Sequence, residues 1–179
     1  MDAPRPSPPI QSLWSHTAVA SQAFPALRQD VQADVAIIGG GYTGLSAAHH
    51  IAASGLRPAV LDANSVGWGA SGRNGGVVSA KFRLSFAEIG STHGMDVARR
   101  MYAIAHESVD VLEELVQTLK LDQAQYARVG QIKGAHNAAS LAAALADMAW
   151  MRDQMGDASV SALSKTEVAE ETGDRKSVV

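Results

Sequence analysis

The stretch "GGGYTG", residues 39–44, constrains this chain more than any other. It follows "DVAII" (34–38), a short apolar run rich in β-branched residues, and it precedes "TGLSAAHHIAASG", which has helical spacing and closes on Gly55. The strand is expected to be buried on both faces of a parallel sheet. Leu45, Ala48 and Ile51 mark the inner face of the helix, and "RPAVLD" supplies a second strand with Pro58 at its first position. Strand, glycine turn, helix and strand make a βαβ unit. Gly39-x-Gly41-x-x-Gly44 then has a physical reading: the first glycine permits a tight turn, and the second lets main chain approach a pyrophosphate. The third brings helix and strand close together. N–H groups at the helix start, aided by the helix dipole, point at the phosphates. Asp62 ends the second strand, where a carboxylate accepts hydrogen bonds from ribose hydroxyls. That carboxylate disfavours a 2′-phosphate, hence NADP, but the fingerprint alone leaves NAD and FAD both open.

A second glycine-rich stretch, "GWGASGRNGG", runs from Gly67 to Gly76. A nicotinamide enzyme has no need of it, whereas a longer coenzyme with a tricyclic ring must be held well beyond its adenine end. Such a loop lets bare main chain pass beside the coenzyme with several N–H groups turned inward. Trp68, Arg73 and Asn74 are not the residues of a flexible spacer.

The remaining chain reads as helices with two more short strands. Residues 1–30 hold most of the prolines and are expected to form an extended arm, pinned by Trp14 and Phe24. Met101, Ile104, Leu112, Leu115 and Leu119 mark one face of a long helix, with Arg99, Arg100, Glu113 and Glu114 off it. "RVGQIKGA" (128–135) and "SVSALS" (159–164) read as strands. Asn137 caps a helix whose Leu141, Leu145, Met148, Met151 and Met155 face a core, and "SKTE" (164–167) opens a short helix ending at Gly173. His49 and His50 are assigned no role. The chain has no cysteine, which excludes disulfides and thiolate chemistry. A net charge of −3 argues against nucleic acid as a partner. No run suits a membrane span and the start lacks the order of a secretory signal, so the expected location is cytoplasmic.

The stretch "DVAIIGGGYTGLSAAHHIAASG…VLDANSVGWGASGRNGG" resembles the D-amino-acid oxidase and glycine oxidase-like family of FAD-dependent oxidoreductases, with most likeness to its γ-glutamylputrescine oxidoreductase-like members. The resemblance implies an α/β fold: a Rossmann-like FAD-binding βαβ unit, then helices, then the beginning of an α+β substrate domain, truncated. The corresponding divisions are an arm over 1–30, FAD-binding domain with a helical insertion over 31–122, and substrate domain from 123 to 173. "DRKSVV" looks like a translated sequencing adapter, so 174–179 are read as a non-native tail. By the same resemblance, Gly39, Gly41, Tyr42, Thr43 and Gly44 contact the pyrophosphate, and Asp62 with Ala63 the ribose side. Gly69, Ala70, Ser71, Arg73, Asn74, Gly75 and Gly76 line the path towards the flavin. The loop has neither histidine nor cysteine, so FAD is expected to be non-covalent. Arg73 either influences the flavin or fixes the loop. The implied reaction is oxidation of a small-molecule amine or amino acid by hydride transfer to flavin, giving an imine that water hydrolyses. No side chain is assignable as catalytic acid or base, and the oligomeric state is open. A nicotinamide-dependent dehydrogenase and a non-catalytic dinucleotide-binding module are the alternatives. Two readable parallel strands make a marginal sheet, so this stretch by itself is expected to be poorly stable and inactive.

Overall fold

A computed structural model describes residues 12–18 and 24–173, which form two compact units dividing between Val77 and Val78. The rest of the expected arm and the tail at 174–179 lie outside the described residues.

The first unit begins with a turn of helix, α1 (Leu13–Thr17). The Ser12 hydroxyl accepts the Ser15 N–H at 3.1 Å, and the Ser15 hydroxyl accepts the Ser12 N–H at 2.8 Å. This reciprocal cap makes residues 13–17 helical where an extended arm was expected. Trp14 is anchored as expected, but Phe24 is 72% exposed and pins nothing.

Strands β1 (Val35–Ile38) and β2 (Pro58–Leu61) pair in parallel, Val35 opposite Pro58 and Ile38 opposite Leu61, with α2 (Tyr42–Ala53) as the crossover. Asp34 and Arg57 set this register. The Arg57 N–H donates to Asp34 Oδ2 at 2.8 Å, the Asp34 N–H donates to the Arg57 carbonyl at 2.9 Å, and the guanidinium reaches the same carboxylate. The helix packs against both strands, and Ile37 faces it at Gly44. Burial of β1 alternates, with Ile38 82% exposed, so the expectation of a strand buried on both faces is not met: among the described residues of this unit α2 covers one face only. On α2 itself Ala47, Ala48 and Ile51 are half-buried while Leu45 is exposed.

The second unit is helical. Helices α3 (Phe86–His93) and α4 (Met95–Thr118) meet at Gly94, and α3 opens on a Ser85–Glu88 capping box. Phe86, Ile89, Ala98 and Ala105 form the buried cluster, with Met101, Tyr102, Trp150, Met151 and Met155 packed around it. The inner row of α4 is thus Ala98, Met101, Tyr102 and Ala105. Ile104 and Leu119, expected inside, are exposed, because small alanines, and not the largest apolar residues, sit where α3 comes close. Asn137 caps α5 (Ala138–Trp150), its Oδ1 accepting the Ser140 N–H at 2.8 Å. Beyond Trp150 the chain widens into a π turn (Met151–Met155), so the methionines reach the core through a looser turn than a regular helix gives. Ser164 and Glu167 cap α6 (Lys165–Thr172), which stops at Gly173 in a left-handed conformation.

Neither extra strand forms. Over 128–135 the chain is tied down by side chains: Arg128 bonds Asp110 and Glu113 of α4 at 2.7 and 2.8 Å, and Lys133 bonds Asp147 of α5 at 3.0 Å. Over 159–164, Ser159 folds back on Asp157, and the Val160 carbonyl accepts from the Arg152 guanidinium. A strand needs a neighbour for its N–H and C=O groups, and among the described residues these segments have none. No described helix is long and apolar enough to cross a membrane.

Candidate functional site

The turn from β1 into α2 is closed by main chain. Gly39 takes φ +103°, and its N–H donates to the Leu61 carbonyl at 2.7 Å. A Cβ at Gly44 would fall inside the envelope of the Gly39 carbonyl oxygen, so only glycine lets the first turn of α2 come this near the strand end. Gly41 is the N-cap residue and offers no side-chain cap. The cap comes from the second loop instead: Ser71 Oγ accepts the Tyr42 N–H at 3.0 Å. Helix geometry leaves the Thr43 and Gly44 N–H groups without intrahelical acceptors, at the positive end of the α2 dipole.

Asp62 lies where β2 ends. Its Oδ2 accepts the N–H of Gly40, which is buried, at 2.7 Å, and its Oδ1 accepts the Asn64 N–H at 2.8 Å, closing a turn over Ala63. These two bonds, that from Gly40 first, hold the carboxyl below its ordinary pKa. Each oxygen keeps a further lone pair for an outside donor. Gly40 was absent from the expected site; its N–H fixes the carboxylate that the ribose reading requires.

The loop 67–76 repeats the geometry of the first. Gly67 has φ +73°, and a Cβ on Gly72, five residues on, would collide with the Gly67 carbonyl just as Gly44 would with Gly39. The two loops are bonded together, the Gly67 N–H donating to the Gly40 carbonyl at 2.9 Å. Gly69 and Ala70 open a short 3-10 turn (Ala70–Gly72) that delivers Ser71 to the α2 terminus. Ser71, expected to line the path from pyrophosphate to flavin, stands at the N-terminus of α2. Asn74 knits the far side: its Nδ2 donates to the Ser71 carbonyl at 2.6 Å and to the Tyr42 hydroxyl at 3.2 Å, and its Oδ1 accepts the Gly76 N–H at 2.8 Å. Gly75 is exposed, with open space where a Cβ would be.

Arg73 stacks its guanidinium over the Trp68 ring, 4.3 Å from the centroid. Of its two expected roles this arrangement fits loop fixation, by a cation–π contact and not through carbonyls. Trp68 Nε1 is buried without a hydrogen-bond partner among the described residues. Trp14 and Trp68 both touch this loop and were not among the expected site residues; the oddity of tryptophan in a glycine loop was the available signal for the second.

The second unit carries an open groove of about 570 Å³ lined by Lys81–Glu88, Asp147, Trp150 and Met151. Its charges of both signs do not converge on one point, and we place the candidate site at the glycine loops. In the same unit Asp157 is buried; burial acts to raise its pKa, but bonds from Ser159 and Tyr102 outweigh this and lower it. Desolvation, then that bond, pushes Tyr102 up to about 12. This pair secures the π turn to α4.

The bare turn at Gly39–Gly44, the carboxylate at Asp62 and a second main-chain loop against them fit an elongated dinucleotide. Known proteins agree. The chain is 35% identical to gamma-glutamylputrescine oxidoreductase of Escherichia coli over 62% of its own length and 26% of that protein's. It is 38% and 40% identical to probable oxidoreductases OrdL of Haemophilus influenzae and Rhizobium meliloti, over 52% and 58% of the chain and 22% and 24% of theirs. The chain thus spans about a quarter of the length of these relatives. No solved structure matches it. Residues 34–177 match the family described as "DAO: FAD dependent oxidoreductase", and the chain belongs to that family.

Proposed function

We propose that this chain forms the dinucleotide-holding part of an oxidoreductase that binds FAD non-covalently in a Rossmann-like domain and oxidises a cytoplasmic amine or amino acid. The observation that carries the reading is the pair of like glycine turns, 39–44 and 67–72, joined by Gly67 N–H to Gly40 carbonyl. One such turn serves any dinucleotide; two in contact suit one whose second half extends past the pyrophosphate. Gly39, Gly41, Tyr42, Thr43 and Gly44 would hold the diphosphate with Ser71, and Asp62 and Ala63 the adenosine ribose. Gly69, Ala70, Arg73, Asn74, Gly75 and Gly76 would carry the surface on towards the ring. Bound flavin supplies the two-electron acceptor for a hydride from the carbon bearing nitrogen. Residues 31–122 would then belong to the FAD domain and 123–173 to the start of the substrate domain.

The name of the Escherichia coli relative makes a γ-glutamylated polyamine the first substrate to try. The full-length protein, mixed with γ-glutamylputrescine, simpler amines and amino acids without oxygen, should lose its visible flavin band with one class of them. Bleaching by none, with FAD bound, would favour a non-catalytic module. A full-length protein with no flavin band that oxidises one of these substrates only with added NAD would favour a nicotinamide-dependent dehydrogenase.

A further inference from the structure

We infer that Trp14, on α1, is a positioning residue of the coenzyme site, reaching it from outside the family-matched residues 34–177. The inference rests on the FAD reading above. The Trp14 indole N–H donates to the Asn74 carbonyl at 2.7 Å, across sixty residues of chain. The same ring lies against Gly76, whose φ is +71°; a Cβ there would stand 3.3 Å from Cζ2 and Cη2. Trp14 thus clamps the loop on both sides of Gly75, once by hydrogen bond and once by ring contact.

What it clamps is connected to the phosphate end. The Asn74 side chain bonds the Ser71 carbonyl, the Tyr42 hydroxyl and the Gly76 N–H, and Ser71 Oγ in turn caps the Tyr42 N–H. Gly75 has neither a side chain nor a neighbour within reach of a Cβ, so its main chain is held only through Asn74 and Gly76, the two residues that Trp14 touches. The indole remains 46% exposed, so burial of the ring is only part of its use. A loop free to sample several shapes binds only in its competent fraction, and apparent affinity falls by that fraction.

The test compares W14F, which keeps an aromatic ring at this position but loses the N–H, with W14A and with F24A, a change at an exposed residue of the same arm. Full-length apoprotein is titrated with FAD, following flavin fluorescence and the shape of the visible band, alongside the Tm of the apoprotein. W14F should raise Kd about fivefold, the worth of one hydrogen bond, with altered band shape and unchanged apoprotein Tm. W14A should raise it further, and F24A should match wild type. Wild-type Kd and band shape in W14F would overturn the inference, as would W14A lowering only the apoprotein Tm. Wild-type protein that takes up no FAD would overturn it together with the FAD reading; uptake by wild type and W14F alike would overturn it alone.

Discussion

At Gly44 the chain has no room for a single methyl group, since the Gly39 carbonyl already occupies that space. The variant G44A must push α2 away from β1, and overpacking of this kind costs about 1–3 kcal/mol. We expect a lower Tm and loss of FAD retention on gel filtration. Asp62 gives a prediction in pH. Its folded pKa is depressed by the Gly40 and Asn64 N–H groups, so the stabilisation it lends is complete above the ordinary carboxylate value, about 3.9. It is lost as pH falls below that value through the folded one. Coenzyme affinity should therefore be flat in this group across neutral pH and decline only in acid, and D62N should weaken FAD binding at pH 7 with little acid dependence left. Titration calorimetry at several pH values checks both. The tight turn at Gly39, the close approach at Gly44 and the place of Asp62 at the end of β2 were legible in the sequence, because they follow from spacing along one crossover. That Trp14 is anchored was also legible, but not where, because its acceptor is a carbonyl sixty residues away and every residue has a carbonyl.

Helix ends were the most readable elements. Asn137, Ser164 and Gly173 sit at the caps their residue types suggest, since capping is local and its partners lie three or four residues apart. Helix α2 is the exception, as Gly41 has no side chain and the cap is lent by Ser71 from the other loop. S71A should cost about 1 kcal/mol in urea unfolding, the usual worth of a helix cap, and should also weaken FAD binding. An ordinary cap would affect stability alone. The two misread strands failed for the opposite reason: strand pairing is not local. Gly130 at φ +80° and the ion pairs of Arg128 and Lys133 turn 128–135 into a tethered loop. Arg128 is solvent-exposed, so R128A should change the urea midpoint only slightly, and less still in high salt.

Across the whole molecule, membership of an FAD-dependent family rests on residues 34–177, and the glycine turns proposed to hold the coenzyme lie in the first unit. Among the described residues only α2 covers the two-stranded sheet there, and Ile38 and Val77 are left largely exposed. A coenzyme bound across both loops would add the contacts that this unit lacks, and a ligand bound only by the folded state stabilises by mass action, about 2.7 kcal/mol at a hundred times its Kd. The decisive measurement is the melting temperature of the full-length apoprotein, with and without FAD or NAD, beside G44A. A rise of several degrees with FAD, none with NAD and none in G44A is the predicted result. A rise with NAD in place of FAD, or an equal FAD-dependent rise in G44A, would contradict the claim that these two glycine turns together hold a flavin coenzyme.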